Sequence, residues 1–216
     1  YEFDHSKEAI TLNGKEQNIH EIKGAQHMKD ALLSCNNSTY NQKTHEGTGD
    51  PTEICLKKFV STFSNIDYIE KKMKRVYEIP FESKKKYMIT ANMMGDESKV
   101  AFIKGAPEVV LKKCKTMSVQ RKSKKLTKKK INELLAVNEK YAKKGFRVLA
   151  FGTKHIKNKG KPSEKELEAN DFVFYGLIIM QDPPRGEVAD AVTQCKEAGI
   201  KIVVISGDQG TTVTNI

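Results

Sequence analysis

Apolar positions recur at helical intervals from Ala25 to Cys35, where Ala25, Met28, Leu32 and Cys35 share a face and Asn36-Asn37-Ser38 supplies a stop. Gln42 to Gly49 is polar and reads as loop. A second helix is expected to begin at Asp50-Pro51-Thr52-Glu53: Asp50 can cap, Pro51 suits the first helical position, and Glu53 falls where a capping box wants a carboxylate. Its buried face is Leu56, Phe59, Val60 and Phe63. Three short β-prone runs follow, Met73 to Ile79, Lys86 to Met94 and Lys99 to Lys104, parted by a Pro80-centred loop and by Gly95-Asp96, and they predict an antiparallel meander. Helices over Pro107 to Cys114 and Thr127 to Lys143, the second with Ile131, Leu134, Leu135, Tyr141 and Ala142 on one face, are expected to pack across that sheet. A strand over Phe146 to Gly152 and a hydrophilic loop over Lys154 to Asn170 complete this part.

At about Asp171 the texture changes. Phe172 to Met180 is a nearly continuous apolar run, Glu187 to Ala198 is amphipathic and closed by Gly199, and Ile200 to Ile205 is a second apolar run. Two apolar strands joined by a helix predict a parallel βαβ unit buried on both faces. The fold class expected is therefore α+β: an antiparallel sheet with flanking helices over residues 1–170, then a partial parallel α/β unit over 171–216.

Composition narrows the class. The 216 residues are 38% hydrophobic and 30% charged, which suits a globular chain with a core. No apolar stretch is long enough to span a bilayer, and the start Tyr-Glu-Phe-Asp-His carries no secretory signal pattern; it also lacks an initiator Met, which suggests a piece of a longer protein. Cys35, Cys55, Cys114 and Cys195 lack metal-ligand spacing and are expected as buried free thiols; His5, His20, His27, His45 and His155 are scattered and expected at the surface. The net charge is +11, but the run Arg121 to Lys130 carries seven positive charges and no negative one, so the balance is +4 without it. Such a run is a solvated loop or helix entry, or else a phosphate-binding arm of a nucleic-acid-binding module.

Several short segments resemble one family. They are Gly49-Asp50-Pro51-Thr52-Glu53, Pro80-Phe81 followed by lysines and Met88, Phe102-Ile103-Lys104-Gly105-Ala106-Pro107-Glu108, and Phe146-Arg147-Val148-Leu149-Ala150. With Leu33-Ser34-Cys35-Asn36-Asn37, and with Asp182-Pro183-Pro184-Arg185 and Ser206-Gly207-Asp208 further on, their order resembles the cytosolic nucleotide-binding domain of P-type cation-transporting ATPases, of the calcium or monovalent-cation branch, followed by part of the haloacid-dehalogenase-like phosphorylation domain.

The resemblance implies ATP as ligand. Phe81 would stack on adenine and Glu53 would accept from its exocyclic amine; by themselves the two residues read first as a core aromatic and a capping carboxylate, and it is the other segments in register that favour the ligand roles. Lys86, Met88, Lys104 and Gly105 would line the ring edge and phosphate approach, Gly105 by letting backbone come close. Arg147 would bridge to phosphate and Leu149 close the purine pocket. Ser83 stands where the family commonly has a second basic residue, with Lys84 and Lys85 just beyond. Asp182 and Arg185 would act at the hinge and on the nucleotide; Ser206, Gly207 and Asp208 would help hold the γ-phosphate and position Mg²⁺.

The family's nucleophile is the aspartate of an Asp-Lys-Thr-Gly-Thr motif, and none of the nine aspartates here is followed by Lys. The expectation is an ATP-binding piece without turnover, belonging to the cytoplasmic portion of an integral membrane protein. Its partners would be the remaining phosphorylation, actuator and transmembrane domains, with no nucleic acid.

Overall fold

A computed structural model describes residues 2–4, 9–12, 15–17, 25–119, 122–157, 160–180 and 187–203. Twelve strands and seven helices are formed among them. The first three strands, β1 (Glu2–Asp4), β2 (Ala9–Leu12) and β3 (Lys15–Gln17), make a small antiparallel sheet of their own. Next come α1 (Ala25–Ser34), β4 (Thr39–Asn41), β5 (Glu46–Thr48), α2 (Pro51–Ser61) and α3 (Ile66–Lys71). The meander follows as β6 (Lys74–Ile79), β7 (Tyr87–Met93) and β8 (Lys99–Gly105), all antiparallel as the alternation predicts. The rest is α4 (Pro107–Lys113), β9 (Cys114–Val119), β10 (Lys122–Lys125), α5 (Lys128–Ala142), β11 (Arg147–Ile156), α6 (Glu164–Glu168), β12 (Phe172–Met180) and α7 (Val188–Glu197).

Seven strands form one mixed sheet in the order β10-β9-β12-β11-β8-β7-β6, flanked by helices, so the architecture is α+β. Alternation along β7 and β8 sorts their side chains between two faces. Thr90 Oγ1 donates to Ser34 O at the end of α1, and Lys104, whose Cα partner is Met88, reaches α2, so Met88, Thr90, Phe102 and Lys104 face α1 and α2. Tyr87 Oη instead donates to Glu168 of α6, and the Lys113 ammonium of α4 lies 4.7 Å from the Tyr87 ring centre, which puts Tyr87 and Ile89 on the other face. The first face buries Leu32, Leu56, Val60, Ile66 and Phe102, and the second Ile89, Ile103, Val110, Leu111 and Leu167. Each such side chain contributes about 1.5–3 kcal/mol by leaving water.

The chain forms two compact units, residues 1–127 with 150–177, and residues 128–149 with 178–216. In the second, α5 presents Ile131, Leu134, Leu135, Tyr141 and Ala142 half-buried, and α7 is closed by Gly199 at φ +70, the left-handed value that favours glycine.

Several segments differ from the sequence expectation, each for a physical reason. Gln42 to Gly49 is not plain loop, because Thr39–Asn41 and Glu46–Thr48 pair as a hairpin turning through Asn41 Oδ1, which accepts from the amides of Lys43 and Thr44. The basic run is only partly irregular. Lys122–Lys125 pairs antiparallel with Cys114–Val119 as an exposed edge strand, where lysines guard an open edge against pairing with other chains. The segment 154–170 is also structured: β11 runs on to Ile156, and α6 starts at Glu164 under a Ser163 cap. Lys154 is buried there, with its ammonium donating to Glu166 O and, at 2.7 Å, to Asp171 Oδ1. Glu168 of the same helix is held below the usual carboxylate range by the Tyr87 hydroxyl and then by Lys85.

The sheet is mixed rather than wholly antiparallel, since β12 runs parallel to β9 from Phe172 to Phe174. The second strand expected for a βαβ unit, Ile200 to Ile205, is described only as far as Val203, and residues 200–203 are exposed and carry no strand pairing. Asp182, Arg185, Ser206, Gly207 and Asp208 lie outside the described residues.

None of the four cysteines forms a disulfide, but only two are buried: Cys55 is exposed and Cys195 half-buried. Burial pushes the Cys35 thiol up to about 11 and that of Cys114 to about 12. Iodoacetamide at about pH 8 should therefore modify Cys55 readily, while Cys35 and Cys114 react only after denaturation, roughly a hundredfold or more slower in the native chain. Peptide mapping by mass spectrometry checks this, and equal native labelling of Cys35 and Cys55 would contradict the buried position of Cys35. His27, His45 and His155 are exposed, as expected.

Candidate functional site

The centre of the site is Glu53. Helix α2 starts where it does because Asp50 Oδ1 accepts from Thr52 N at 2.9 Å and Glu53 N at 3.2 Å, and Pro51 occupies the first turn. The Glu53 side chain does not complete a capping box. Its Oε2 accepts from Asn37 N at 2.7 Å, just past α1, and its Oε1 accepts from Lys104 Nζ at 2.5 Å. Both side chains are largely sheltered, 15% and 8% exposed, so this is an ion pair in a setting where each charge depends on the other. Two of the four lone-pair positions of the carboxylate are thereby taken, and two remain to accept from a ligand.

Lys104 is thus no solvated strand-end lysine. Met88 faces it across the β7–β8 ladder and is itself buried, 1% exposed, with its carbonyl accepting from Cys35 Sγ. Gly105 pairs with Tyr87 on one side and Ala150 on the other. A Cβ there would lie 2.3 Å from Lys86 O and 2.7 Å from Tyr87 Cα, so the missing side chain makes room for the neighbouring strand.

Phe81 follows β6 and is 59% exposed, which removes the core-aromatic reading and leaves a flat apolar face open to solvent. Lys86 adopts φ +57 and stands 3.5 Å from Glu108. Of the two lysines beyond Ser83, Lys85 is committed to Glu168 at 3.3 Å on the α6 side, and that contact raises its pKa. Arg147 and Leu149 open β11 in the second compact unit, exposed and half-buried respectively. The structure thus joins Glu53, Lys104 and Met88 at one place, with Gly105 beside Lys104.

Sequence reasoning missed the residues behind Glu53. Arg75 of β6 donates to Ser34 O at 2.8 Å and Asn36 O at 2.7 Å, and it also reaches Asn37 Oδ1. Asn36 Nδ2 donates to Leu32 O and to Glu53 O at 2.9 Å, tying α1 to α2. The Asn36-Asn37 pair was legible as a helix stop; its second use as a clamp was not.

The family model of the P-type ATPase cytoplasmic domain N matches residues 25–187. This chain belongs to that family. Among curated proteins, the N domain is 39% identical to calcium-transporting ATPase 1 of Bacillus cereus over 82% of its own length and 20% of the relative's. It is 32% identical to calcium-transporting ATPase 1 of Lactococcus lactis over 98% of its length and 23% of the relative's. The sodium/potassium-transporting ATPase subunit alpha of Hydra vulgaris is 33% identical, over 79% and 18%. The chain spans about a fifth of the length of the relatives it matches. The match runs straight through residues 121–130, and no finding supports the alternative of a nucleic-acid-binding module.

Proposed function

We propose that this N domain binds ATP and presents it to a phosphorylatable aspartate lying outside the 216 residues, within a pump that couples ATP hydrolysis to cation transport. The names of its relatives favour calcium as the ion. The observation that carries the nucleotide reading is the Glu53 carboxylate, held by Lys104 and the Asn37 amide with accepting capacity left over. Adenine offers an exocyclic amine donor to such a group, and exposed Phe81 offers its ring a stacking face. Lys86 would meet phosphate charge; Arg147 and Leu149 are proposed for phosphate and purine contact on the resemblance alone. Asp182, Arg185, Ser206, Gly207 and Asp208 are proposed to act from the phosphorylation-domain side, with residues 1–170 as the nucleotide-binding domain and 171–216 as the partial second one. The remaining pump domains are its proposed partners.

Mg²⁺ would neutralise the ATP phosphates, and among the described residues no cluster of His, Cys, Asp or Glu could hold it by itself. Bound together with ATP it would be held chiefly by phosphate oxygens, with Asp208 the proposed protein contact.

Titration with ATP at about 150 mM salt, followed by NMR shifts, should show saturable binding in the range of about 0.1–1 mM. Phe81→Ala should weaken it at least about tenfold, the loss of one stacking face. Binding equal in both proteins and lost with added salt would overturn the assignment of the adenine site.

A further inference from the structure

We infer that Arg75 is a positioning residue for Glu53, and that through Glu53 it sets the preference for a purine carrying an amine donor. The inference rests on the ATP reading above and adds to it the group that orients the adenine-reading carboxylate.

Helix α1 has no basic residue in its last turn; Cys35 N and Asn36 Nδ2 meet Ala31 O and Leu32 O, and Thr90 Oγ1 donates to Ser34 O, which leaves the last carbonyls without a charged partner of the helix's own. Arg75, 41 residues on from Ser34, supplies that cap from β6. One guanidinium nitrogen, Nη2, donates to Ser34 O and Asn36 O; the other, Nη1, donates to Asn37 Oδ1 and to Glu78 Oε2 at 2.8 Å. Glu78 in turn accepts from Asn37 Nδ2 at 2.7 Å. The peptide between Asn36 and Asn37 is thus fixed at its carbonyl, and the Asn37 side chain is fixed at both ends of its amide. The Asn37 N–H belongs to that same peptide, and it is the group that holds Glu53 Oε2.

A carboxylate gripped at one oxygen by a lysine can still rotate about that contact. Gripped at the second oxygen by an N–H of fixed direction, it keeps one plane, and its remaining lone pairs keep one heading. Adenine places an amine donor at its 6-position; hypoxanthine places a carbonyl acceptor there, which a carboxylate repels. The planar fork of Arg75 matters because it spans two carbonyls and an amide oxygen together, which a lysine ammonium on a flexible stem does not do with the same fixed spacing.

The test compares ATP with ITP on the full 216-residue chain, wild type against Arg75→Ala and Arg75→Lys, with melting temperature recorded alongside. Wild type should bind ATP about tenfold tighter than ITP. Arg75→Ala should lose about five- to tenfold in ATP affinity with ITP affinity within about twofold, so that the ratio approaches one, and Arg75→Lys should fall between. Lower stability with an unchanged ATP/ITP ratio makes Arg75 a helix cap only and overturns the inference. If Arg75→Ala does not fold, an unchanged ratio in Arg75→Lys overturns it equally. A wild-type chain that binds no ATP removes the ATP reading and the inference together; a ratio that survives in Arg75→Ala while Phe81→Ala still weakens ATP binding removes the inference alone.

Discussion

Glu53→Ala should destabilise the N domain by about 3 kcal/mol, a fall in melting temperature of about 6–12 °C, before any ligand is added. The cause lies in what the substitution leaves behind. Lys104 is 8% exposed on its side chain, and Glu53 Oε1 at 2.5 Å is the partner that makes its charge tolerable there. Removing the carboxylate strands an ammonium between β8 and α2 and frees the Asn37 amide as well. Truncating one member of a sheltered pair costs more than the pair itself contributes, because the survivor keeps its desolvation penalty.

That reasoning separates charge from packing by experiment. Glu53→Gln keeps an acceptor for Lys104 or for Asn37 N and should lose about 1 kcal/mol. Adding Lys104→Met to Glu53→Ala removes the stranded charge, so the double variant should recover part of the lost stability, a coupling of about 1 kcal/mol or more. Urea denaturation of these proteins, with Lys104→Met alone added to close the cycle, reads all of this. A Glu53→Ala variant within about 0.5 kcal/mol of wild type would show that the pair is effectively solvated, and a double variant no better than the single would assign the loss to packing.

Which parts of this site were legible in the sequence depended on how far apart the interacting residues are. The cap of α2 is written in four consecutive residues, and Asp50 and Pro51 do what their chemistry predicts. The meander and its turn are equally local: Asp96 Oδ1 accepts from Ser98 N, and Glu97 takes φ +63 to close it. Glu53 was legible as a residue of interest but not as one turned away from its own helix end, because its partners lie 16 positions before and 51 after. Arg75 was hidden for the same reason, being simply one charge in a strand until α1 is laid beside it. Lys154 shows the opposite error. A hydrophilic stretch suggested solvated loop, yet the lysine sits buried where carbonyls at the end of α6 and Asp171 receive it, an arrangement no local pattern encodes. The strand β12 misled through composition, since an all-apolar run predicts parallel pairing but does not say with which strand; here it is β9.

Gly105→Ala should be the most damaging single methyl in the first unit, costing about 3–4 kcal/mol or preventing folding altogether. Gly105 has no left-handed backbone angle, so the reason is not conformational freedom. Its added Cβ would meet Lys86 O at 2.3 Å, Tyr87 Cα at 2.7 Å and Tyr87 Cβ at 2.8 Å, and the first two are backbone that cannot rotate aside. Relief requires β7 to move at its start, where Lys86 O also accepts from Ala106 N at 3.0 Å and Lys86 takes its positive φ. Lys104, the residue before Gly105, pairs with Met88 of β7, so the shift disturbs its hold on Glu53 and ATP affinity should fall together with stability. Gly176→Ala is the matched control: it is also a strand glycine, but nothing lies within 4 Å of the position a Cβ would take, and the change should stay within about 0.5 kcal/mol of wild type. Urea midpoints for the two variants decide the matter. If Gly105→Ala tracks Gly176→Ala, β7 and β8 are not as close at Tyr87 as described, and the motif glycine would then be kept for the ligand's approach rather than for the neighbouring strand's.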